Sequence, residues 1–184
     1  MNKTLFRRIN VVGTSGSGKS TFSRQLADVL KYPYIEMDAL FWKPDWEQST
    51  DKEFFAKLEK YLQQTTWILD GNYSRTTNIK WKEVDTVIWL NYSWQRTVYQ
   101  SITRAIKRSL FKQTLWAGNK ESFKKSFFSR DSIILWMLQN YHRQQQQYLM
   151  NMNDPQWRHI QFIRISNSKH AKQFLQQLQN LSND

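Results

Sequence analysis

Glycine is the residue whose placement most constrains the fold of this chain. The 184 residues contain only five glycines, and three of them, Gly13, Gly16 and Gly18, lie within six positions. Because glycine lacks a Cβ atom, it adopts backbone conformations that other residues avoid, so this cluster indicates a loop of special shape. A β-branched run, Ile9 to Val12, precedes the loop, and apolar residues at helical spacing follow it. We therefore predict a strand, a tight loop and a helix over the first 30 residues.

The loop sequence matches a phosphate-binding pattern. Residues 13–20 read GTSGSGKS, which fits G-x-x-x-x-G-K-[ST]. In such a loop the backbone N–H groups surround phosphate oxygens, and the lysine, here Lys19, reaches the β- and γ-phosphates and is a catalytic candidate. The Ser20 hydroxyl group is a candidate Mg²⁺ ligand. We expect nucleotide contacts along the whole loop, from Gly13, Thr14, Ser15, Gly16, Ser17, Gly18, Lys19, Ser20 and Thr21.

Strands and helices alternate along the rest of the chain. Four more strands are predicted, at Tyr34 to Met37, Thr66 to Leu69, Thr86 to Leu90 and His159 to Ile165. A capping box at Thr50 and Glu53 opens one helix, and helical spacing predicts others over 94–110, 132–150 and 169–181. Parallel strands need crossover connections, so we expect an α/β fold: a mostly parallel five-stranded sheet with helices on both faces. We find no linker and expect one domain over residues 1–184.

A basic segment interrupts this alternation. The chain has a net charge of +12, and residues 96–130 carry nine Lys or Arg side chains and one acid. Residues 111–130 show no clean period, which is typical of a functional loop, and we interpret them as a lid. Such a lid would help to bring Arg104, Arg108 and Arg130 over the phosphates as charge develops. Two alternatives stay open: a solvated helix face, and nucleic-acid binding through lysines interleaved with aromatic rings.

Two aspartates follow predicted strands and are candidates for chemistry. Asp70 ends the third strand, at the edge where ligands of open α/β sheets gather, and we expect it on the Mg²⁺ side of the site with Ser20. Asp38 ends the second strand and could accept a proton from a substrate hydroxyl group or orient the substrate. A turn or a helix cap is the alternative for each aspartate. Trp42 is either a core residue or a wall of the acceptor pocket beside Asp38.

Composition excludes several other classes of protein. The chain has no cysteine, which rules out disulfides, a thiol nucleophile and Cys-ligated metal centres. Its longest apolar run, Ile133 to Leu138, has six residues, far short of the ~20 that a membrane helix needs. The first residues lack the apolar core of a secretory signal. We therefore expect a cytoplasmic protein without membrane attachment, and the sequence leaves its oligomeric state open.

Taken together, these motifs resemble a known group of enzymes. The Gly13 loop, the strand end at Trp67 to Gly71 with Arg75 after it, and the basic helix before a lid resemble nucleoside monophosphate kinases among the P-loop kinases. Within that group, the segments from Met37 to Pro44 and from Asp70 to Arg75 look like adenylate-kinase-related topology modulation proteins. The resemblance implies the sheet order 2-3-1-4-5, ATP as donor, a closing lid, and Arg75 on the acceptor phosphate.

The expected activity follows from the loop, the aspartates and this resemblance. We expect an ATP- and Mg²⁺-dependent kinase that phosphorylates a small molecule, with Asp38, Trp42 and Arg75 on the acceptor side. The alternative is a nucleic-acid-associated NTPase or regulator that uses ATP as a switch and binds nucleic acid through residues 96–130.

Overall fold

The computed structural model describes residues 6–110, 115–119 and 133–183. In these residues five strands form one sheet: β1 Arg8–Val12, β2 Tyr34–Glu36, β3 Trp67–Asp70, β4 Thr86–Leu90 and β5 Gln161–Ile165. The sheet order is β2-β3-β1-β4-β5, and every neighbouring pair is parallel. The predicted α/β class and the strand order implied by the resemblance are confirmed.

Helices fill the connections between the strands. They are α1 Lys19–Leu30, α2 Met37–Phe41, α3 Asp51–Leu62, α4 Thr77–Glu83, α5 Trp94–Leu110, α6 Ile133–Asn153 and α7 Ser168–Asn183. The α5 helix has its predicted bounds, and α3 begins with the predicted capping box at Thr50 and Glu53. The sequence did not predict α2 and α4, because five and seven residues are too few to show a helical period. The sequence predicted Met37 as the last residue of the second strand. In the structure β2 ends at Glu36, and Met37 begins α2.

Both faces of the sheet are covered, because alternate residues of a strand point to opposite sides. One core joins the strands to α1 and α7 and contains Ile9, Val11, Ile68, Ile88, Phe22, Leu26, Phe174 and Leu178. The other core joins the strands to α3, α4 and α6 and contains Val12, Leu69, Val87, Trp89, Phe54, Leu58, Trp81 and Tyr148. These two cores hold the carboxyl ends of β1, β2 and β3 side by side, where the candidate site lies. None of the described helices is both long and apolar enough to cross a membrane.

A buried asparagine ties the central strand to the loop that follows β3. Asn10 of β1 is fully buried, and its Nδ2 donates to Leu69 O at 3.0 Å and to Gly71 O at 3.3 Å. Its Oδ1 accepts a hydrogen bond from Trp81 Nε1 at 2.9 Å. Unpaired buried amides are costly, so these bonds fix the place where the chain leaves β3.

A buried lysine lies behind the same loop. Lys80 of α4 is 2% exposed, and its Nζ donates to Tyr73 O across 3.5 Å. Among the described residues no carboxylate forms an ion pair with it. Burial alone lowers the pKa of Lys80 to about 7. Its protonation therefore differs between the folded and unfolded chain over a wide pH range.

Replacing this lysine is expected to stabilise the protein most at low pH. Between pH 7 and the ordinary lysine value of 10.5 the unfolded chain binds more protons, so the wild-type free energy of unfolding rises with pH. Lys80→Met removes this dependence, and its stabilising effect should shrink by roughly 2–3 kcal/mol between pH 6 and pH 9. Urea unfolding at both pH values measures the change, with exposed Lys82→Met as the control on the same helix. An equal effect of Lys80→Met at both pH values would contradict the shifted pKa.

Candidate active site

Residues 13–18 form a tight loop between β1 and α1 at the carboxyl edge of the sheet. Gly16 and Gly18 have φ values of +83° and +87°, in the left-handed region that favours glycine. Gly18 caps α1, so the N–H groups of the first helical turn face the loop. That turn carries Ser20, which is half-buried, and Thr21, which is exposed. The loop thus has the shape and the free helix end that an anionic phosphate chain requires.

The α5 helix packs directly against this loop. A Cβ atom at Gly16 would lie 1.9 Å from Ser101 Oγ, and Ser101 Oγ donates to Ser15 O at 3.3 Å. One turn further along, a guanidinium nitrogen of Arg104 donates to Ser15 Oγ at 3.0 Å. The structure therefore brings Arg104 to the phosphate loop. Arg130 lies outside the described residues, and so does the side chain of Arg108.

The charge of Lys19 is influenced by two carboxylates and an arginine. Its Nζ donates to Thr14 O at 3.0 Å. Burial lowers the pKa of Lys19, whereas the charges of Asp70 and Asp38 act to raise it and Arg104 acts to lower it. Because all four charges influence one another, they form a single charged centre at the ends of β1, β2 and β3.

Asp70 ends β3, as predicted, and is 4% exposed. Tyr34 donates a hydrogen bond from its hydroxyl group to Asp70 Oδ2 at 3.0 Å. The other oxygen, Oδ1, is buried and has no hydrogen-bond partner among the described residues. A buried carboxylate oxygen without a partner is costly unless a ligand or cation satisfies it.

The oxygen donors at this point fit a magnesium ion. Mg²⁺ prefers oxygen ligands and is commonly held by one or two carboxylates together with substrate phosphates and water. The Asp70 carboxylate and the Ser20 hydroxyl group are donors of that kind. Within the described ranges no cluster of three or more acidic or histidine side chains could hold a metal ion by itself.

Asp38 lies in the first turn of α2 and receives a hydrogen bond that the sequence did not reveal. The Tyr73 hydroxyl group donates to Asp38 Oδ1 at 2.6 Å. Burial raises the pKa of Asp38, the hydrogen bond from Tyr73 opposes the rise, and the charge of Asp70 adds to it. A raised pKa brings a carboxylate closer to the range in which it accepts protons effectively near neutral pH.

Aromatic rings surround the approach to Asp38. The Phe41 ring lies 5.0 Å from both the Trp42 ring and the Tyr73 ring. The Arg75 guanidinium lies 4.7 Å from the Phe41 ring centre and forms an ion pair with Asp51 at 3.2 Å. The structure thus places Trp42 and Arg75 on the same side as Asp38, with Arg75 at the solvent-exposed rim.

A piece of the predicted lid lies against this aromatic side. Asn119 is buried, and its side chain donates to Lys43 O at 2.8 Å and accepts from Trp46 N at 3.0 Å. The Trp116 ring lies 6.4 Å from the Trp46 ring, and Trp116 also hydrogen-bonds the Glu36 carboxylate. Residues 115–119 therefore pack beside the turn that carries Trp46. Residues 111–114 and 120–130 lie outside the described part of the chain.

Comparison with known proteins identifies related kinases. A family model described as Shikimate kinase matches residues 15–181. The shikimate kinase of Persephonella marina (strain DSM 14350 / EX-H1) is 29% identical over 142 residues, which cover 69% of this chain and 83% of the relative. A gluconokinase from Sinorhizobium meliloti 1021 superposes with a TM-score of 0.54 at 17% identity, covering 97% of this chain and 95% of the other. A shikimate kinase from Bacteroides thetaiotaomicron gives 0.54 at 13% identity, covering 97% and 99%. At such identities the two solved structures show the fold alone.

Proposed function

The chain belongs to the shikimate kinase family, and on this premise we propose that it transfers the γ-phosphoryl group of ATP to a hydroxyl group of a small hydroxylated acid beside Asp38. The family match and the curated relative show an ATP-dependent small-molecule kinase. The acceptor class, the Mg²⁺ ion and the residue roles are our proposal. The observation that carries it is geometric: the phosphate loop at the end of β1 lies beside the buried Asp70 at the end of the neighbouring strand β3, and the Asp70 Oδ1 atom has no hydrogen-bond partner among the described residues.

The phosphate loop would hold the donor. Backbone N–H groups of residues 13–21 would bind the phosphate oxygens, and Lys19 would exchange its bond to Thr14 O for the β- and γ-phosphates. Arg104, which already lies at Ser15, would neutralise the charge of the transferring group. Arg108 and Arg130 would join it from α5 and the lid. Positioning and charge neutralisation supply most of the catalysis in phosphoryl transfer.

Ser20 and Asp70 would hold Mg²⁺. When bound, the ion would neutralise negative charge on the β- and γ-phosphates. The chain's own part is to present the Ser20 hydroxyl group from the start of α1 and, from the end of β3, the Asp70 oxygen that has no partner among the described residues. The hydrogen bond from Tyr34 keeps the Asp70 carboxylate in one orientation.

Asp70→Asn is expected to weaken nucleotide binding mainly in the presence of Mg²⁺. The substitution keeps the shape of the side chain and removes the charge that faces the metal. We expect the Kd for ATP to rise about tenfold or more with Mg²⁺ and to change little in EDTA. Calorimetric titration under both conditions measures the difference. Asp28→Asn, at an exposed position on α1, is the matched control and should leave the Kd unchanged under both conditions. The same loss with and without Mg²⁺ would indicate a purely structural aspartate.

Asp38 would receive the proton when the acceptor reacts. As the acceptor oxygen forms its bond to the γ-phosphorus, the bond from that phosphorus to the bridging oxygen of ADP breaks, and the acceptor proton passes to the Asp38 carboxylate. Trp42 would form a wall of the acceptor site. Arg75 would exchange its ion pair with Asp51 for the anionic group of the acceptor, a carboxylate or a phosphate.

A finer grouping is also part of this proposal. We propose that the chain groups with the adenylate-kinase-related topology modulation proteins, which its segments at residues 37–44 and 70–75 resemble in sequence. We further propose that residues 1–184 form one kinase domain, with residues 111–130 as its lid. The packing of residues 115–119 beside Trp46 supports this assignment, because it puts one part of the lid at the acceptor side.

A panel of acceptors tests the proposed reaction. ADP formation from ATP and Mg²⁺ is measured with shikimate, gluconate, nucleosides and nucleoside monophosphates, and in separate reactions with DNA and RNA. We expect a hydroxylated acid, shikimate or gluconate, to raise ADP formation in a saturable way, and the nucleic acids to have no effect. Stimulation by a nucleoside or a nucleoside monophosphate alone would contradict the proposed acceptor class and leave the kinase activity intact. Stimulation by DNA or RNA alone would favour the nucleic-acid-associated NTPase instead.

A further inference from the structure

We propose that Asn72 is a positioning residue that couples the phosphate loop to the acceptor side of the site. Asn72 belongs to the segment 71–76 between β3 and α4, which we name the coupling loop. Its consecutive side chains Asn72 and Tyr73 contact two different parts of the site. The claim that nucleotide binding is felt at α2 rests on the phosphate loop alone. The claim that Asn72 affects turnover rests on the role proposed for Asp38.

The Asn72 carboxamide binds both backbone groups of one residue in the phosphate loop. Gly13 N donates to Asn72 Oδ1 at 3.0 Å, and Asn72 Nδ2 donates to Gly13 O. Two hydrogen bonds to one residue fix both its distance and its orientation, whereas a single bond would leave rotation free. The position of Gly13 is therefore tied to the position of the coupling loop, although the two residues are 59 apart in sequence.

The next residue makes the corresponding contact on the acceptor side. The Tyr73 hydroxyl group donates to Asp38 Oδ1 at 2.6 Å, and its ring lies 5.0 Å from both Phe41 and Phe54. At the other end of the residue, Tyr73 O accepts a hydrogen bond from Thr76 Oγ1 at 2.6 Å. Because Tyr73 is held at its hydroxyl group, its ring and its carbonyl, it cannot move without moving Asp38 or breaking these contacts.

The base of the coupling loop leaves little room to absorb a shift. Gly71 N donates to Val11 O at 3.3 Å, and Gly71 O accepts from Asn10 Nδ2. A Cβ atom at Gly71 would lie 2.7 Å from Met37 Cβ, so the loop packs against the start of α2 with no space for a side chain at residue 71. A displacement at Gly13 therefore passes along a short packed path to Asp38. The physical consequence is that nucleotide binding should order α2.

The α2 helix is a sensitive place to detect this effect. It has only five residues, and helices this short owe their stability to tertiary contacts. Its amides should therefore exchange faster than those of the central strands, and a coupling loop that bound nucleotide holds more firmly should slow this exchange. Amide exchange at residues 37–43 thus reports on the link and needs no acceptor.

The experiment measures hydrogen exchange with Mg²⁺ and a non-hydrolysable ATP analogue. In the wild-type protein we expect the analogue to slow exchange at residues 13–21 and, by about threefold or more, at residues 37–43. In Asn72→Ala the protection at 13–21 should remain and the protection at 37–43 should be lost. Asn78→Ala, an exposed asparagine on α4, is the matched control and should behave as wild type. Should Asn72→Ala fail to fold, Asn72→Ser takes its place and should show partial protection.

The outcomes separate this inference from the proposed function. Full protection of residues 37–43 in Asn72→Ala, or none in a wild-type protein that binds the analogue, would overturn the coupling and leave the kinase reaction intact. Failure of the wild-type protein to bind the analogue would overturn both. Once an acceptor is found, Asn72→Ala should lower kcat about tenfold while the KM for ATP changes little, because misaligned reactants lose rate more than affinity. An unchanged kcat would also contradict the coupling.

Discussion

Lys19→Ala is expected to lower kcat/KM for ATP-dependent turnover by about a thousandfold, because it removes the cation that faces the transferring phosphates. The folded protein should lose little stability. The reason is that the Lys19 ammonium group is desolvated in the folded protein, which lowers the pKa of Lys19. The one hydrogen bond described for Lys19 Nζ goes to Thr14 O at 3.0 Å, so the substitution removes a single contact of this kind. Steady-state kinetics and thermal unfolding measure the two effects separately.

The control for this prediction is another lysine replaced in the same way. Lys172 is exposed on α7, on the opposite side of the sheet from Asp38 and α3, and Lys172→Ala should keep wild-type kinetics and stability. A folded Lys19→Ala variant with wild-type turnover would contradict the assignment of residues 13–20 as the nucleotide loop.

Asp38→Asn is expected to lower kcat by about 10²- to 10³-fold with little change in the affinity for ATP. The amide keeps the shape of the carboxylate and still accepts the hydrogen bond from Tyr73, but it cannot take a proton from the acceptor. Exposed Asp28→Asn on α1 is the matched control and should not change kcat. If Asp38→Asn instead raised only the KM for the acceptor, Asp38 would orient the substrate without accepting its proton.

The pH dependence gives this prediction a second test. Burial raises the pKa of Asp38 above its ordinary value of 3.8, and the Tyr73 hydroxyl group opposes that rise by stabilising the carboxylate. Activity should therefore fall as pH decreases through this raised pKa. Tyr73→Phe should move the acidic limb of the kcat/KM profile to higher pH, because the carboxylate loses a donor. An acidic limb that stays in place would show that Asp38 does not control it.

The sequence predicted the fold and the tight loop between β1 and α1, because both depend on patterns within short segments. The glycine spacing and Lys19 identified the phosphate loop, and the apolar runs located all five strands to within two residues. Asp70 lies where the sequence predicted it, at the end of β3, because a strand end has a fixed place in a parallel sheet. Asp38 was predicted at the end of the second strand, but β2 ends at Glu36 and Asp38 lies in the first turn of α2. The helical spacing over residues 94–110 likewise predicted α5, the helix that carries Arg104 to the loop.

The acceptor half depends on contacts between distant segments, which spacing does not encode. Tyr73 meets Asp38 across 35 residues, and Asn72 meets Gly13 across 59. Both contacts follow from the conformation of the coupling loop. The sequence also did not predict that Lys80 is buried, because the seven residues of α4 are too few for an apolar period to show which face of the helix is buried. A polar residue directly after Asp70-Gly71 is the one sequence signal that could have marked Asn72 as a contact to the phosphate loop.

The fate of the γ-phosphoryl group tests the central claim most directly. The protein is incubated with Mg²⁺, ATP labelled in its γ-phosphate and the acceptor that raises ADP formation, and the products are separated. Our account predicts label in a phosphate ester of the acceptor, in an amount equal to the ADP formed, and no such product with Lys19→Ala. Label recovered only as inorganic phosphate, at a rate that no small acceptor changes, would contradict it.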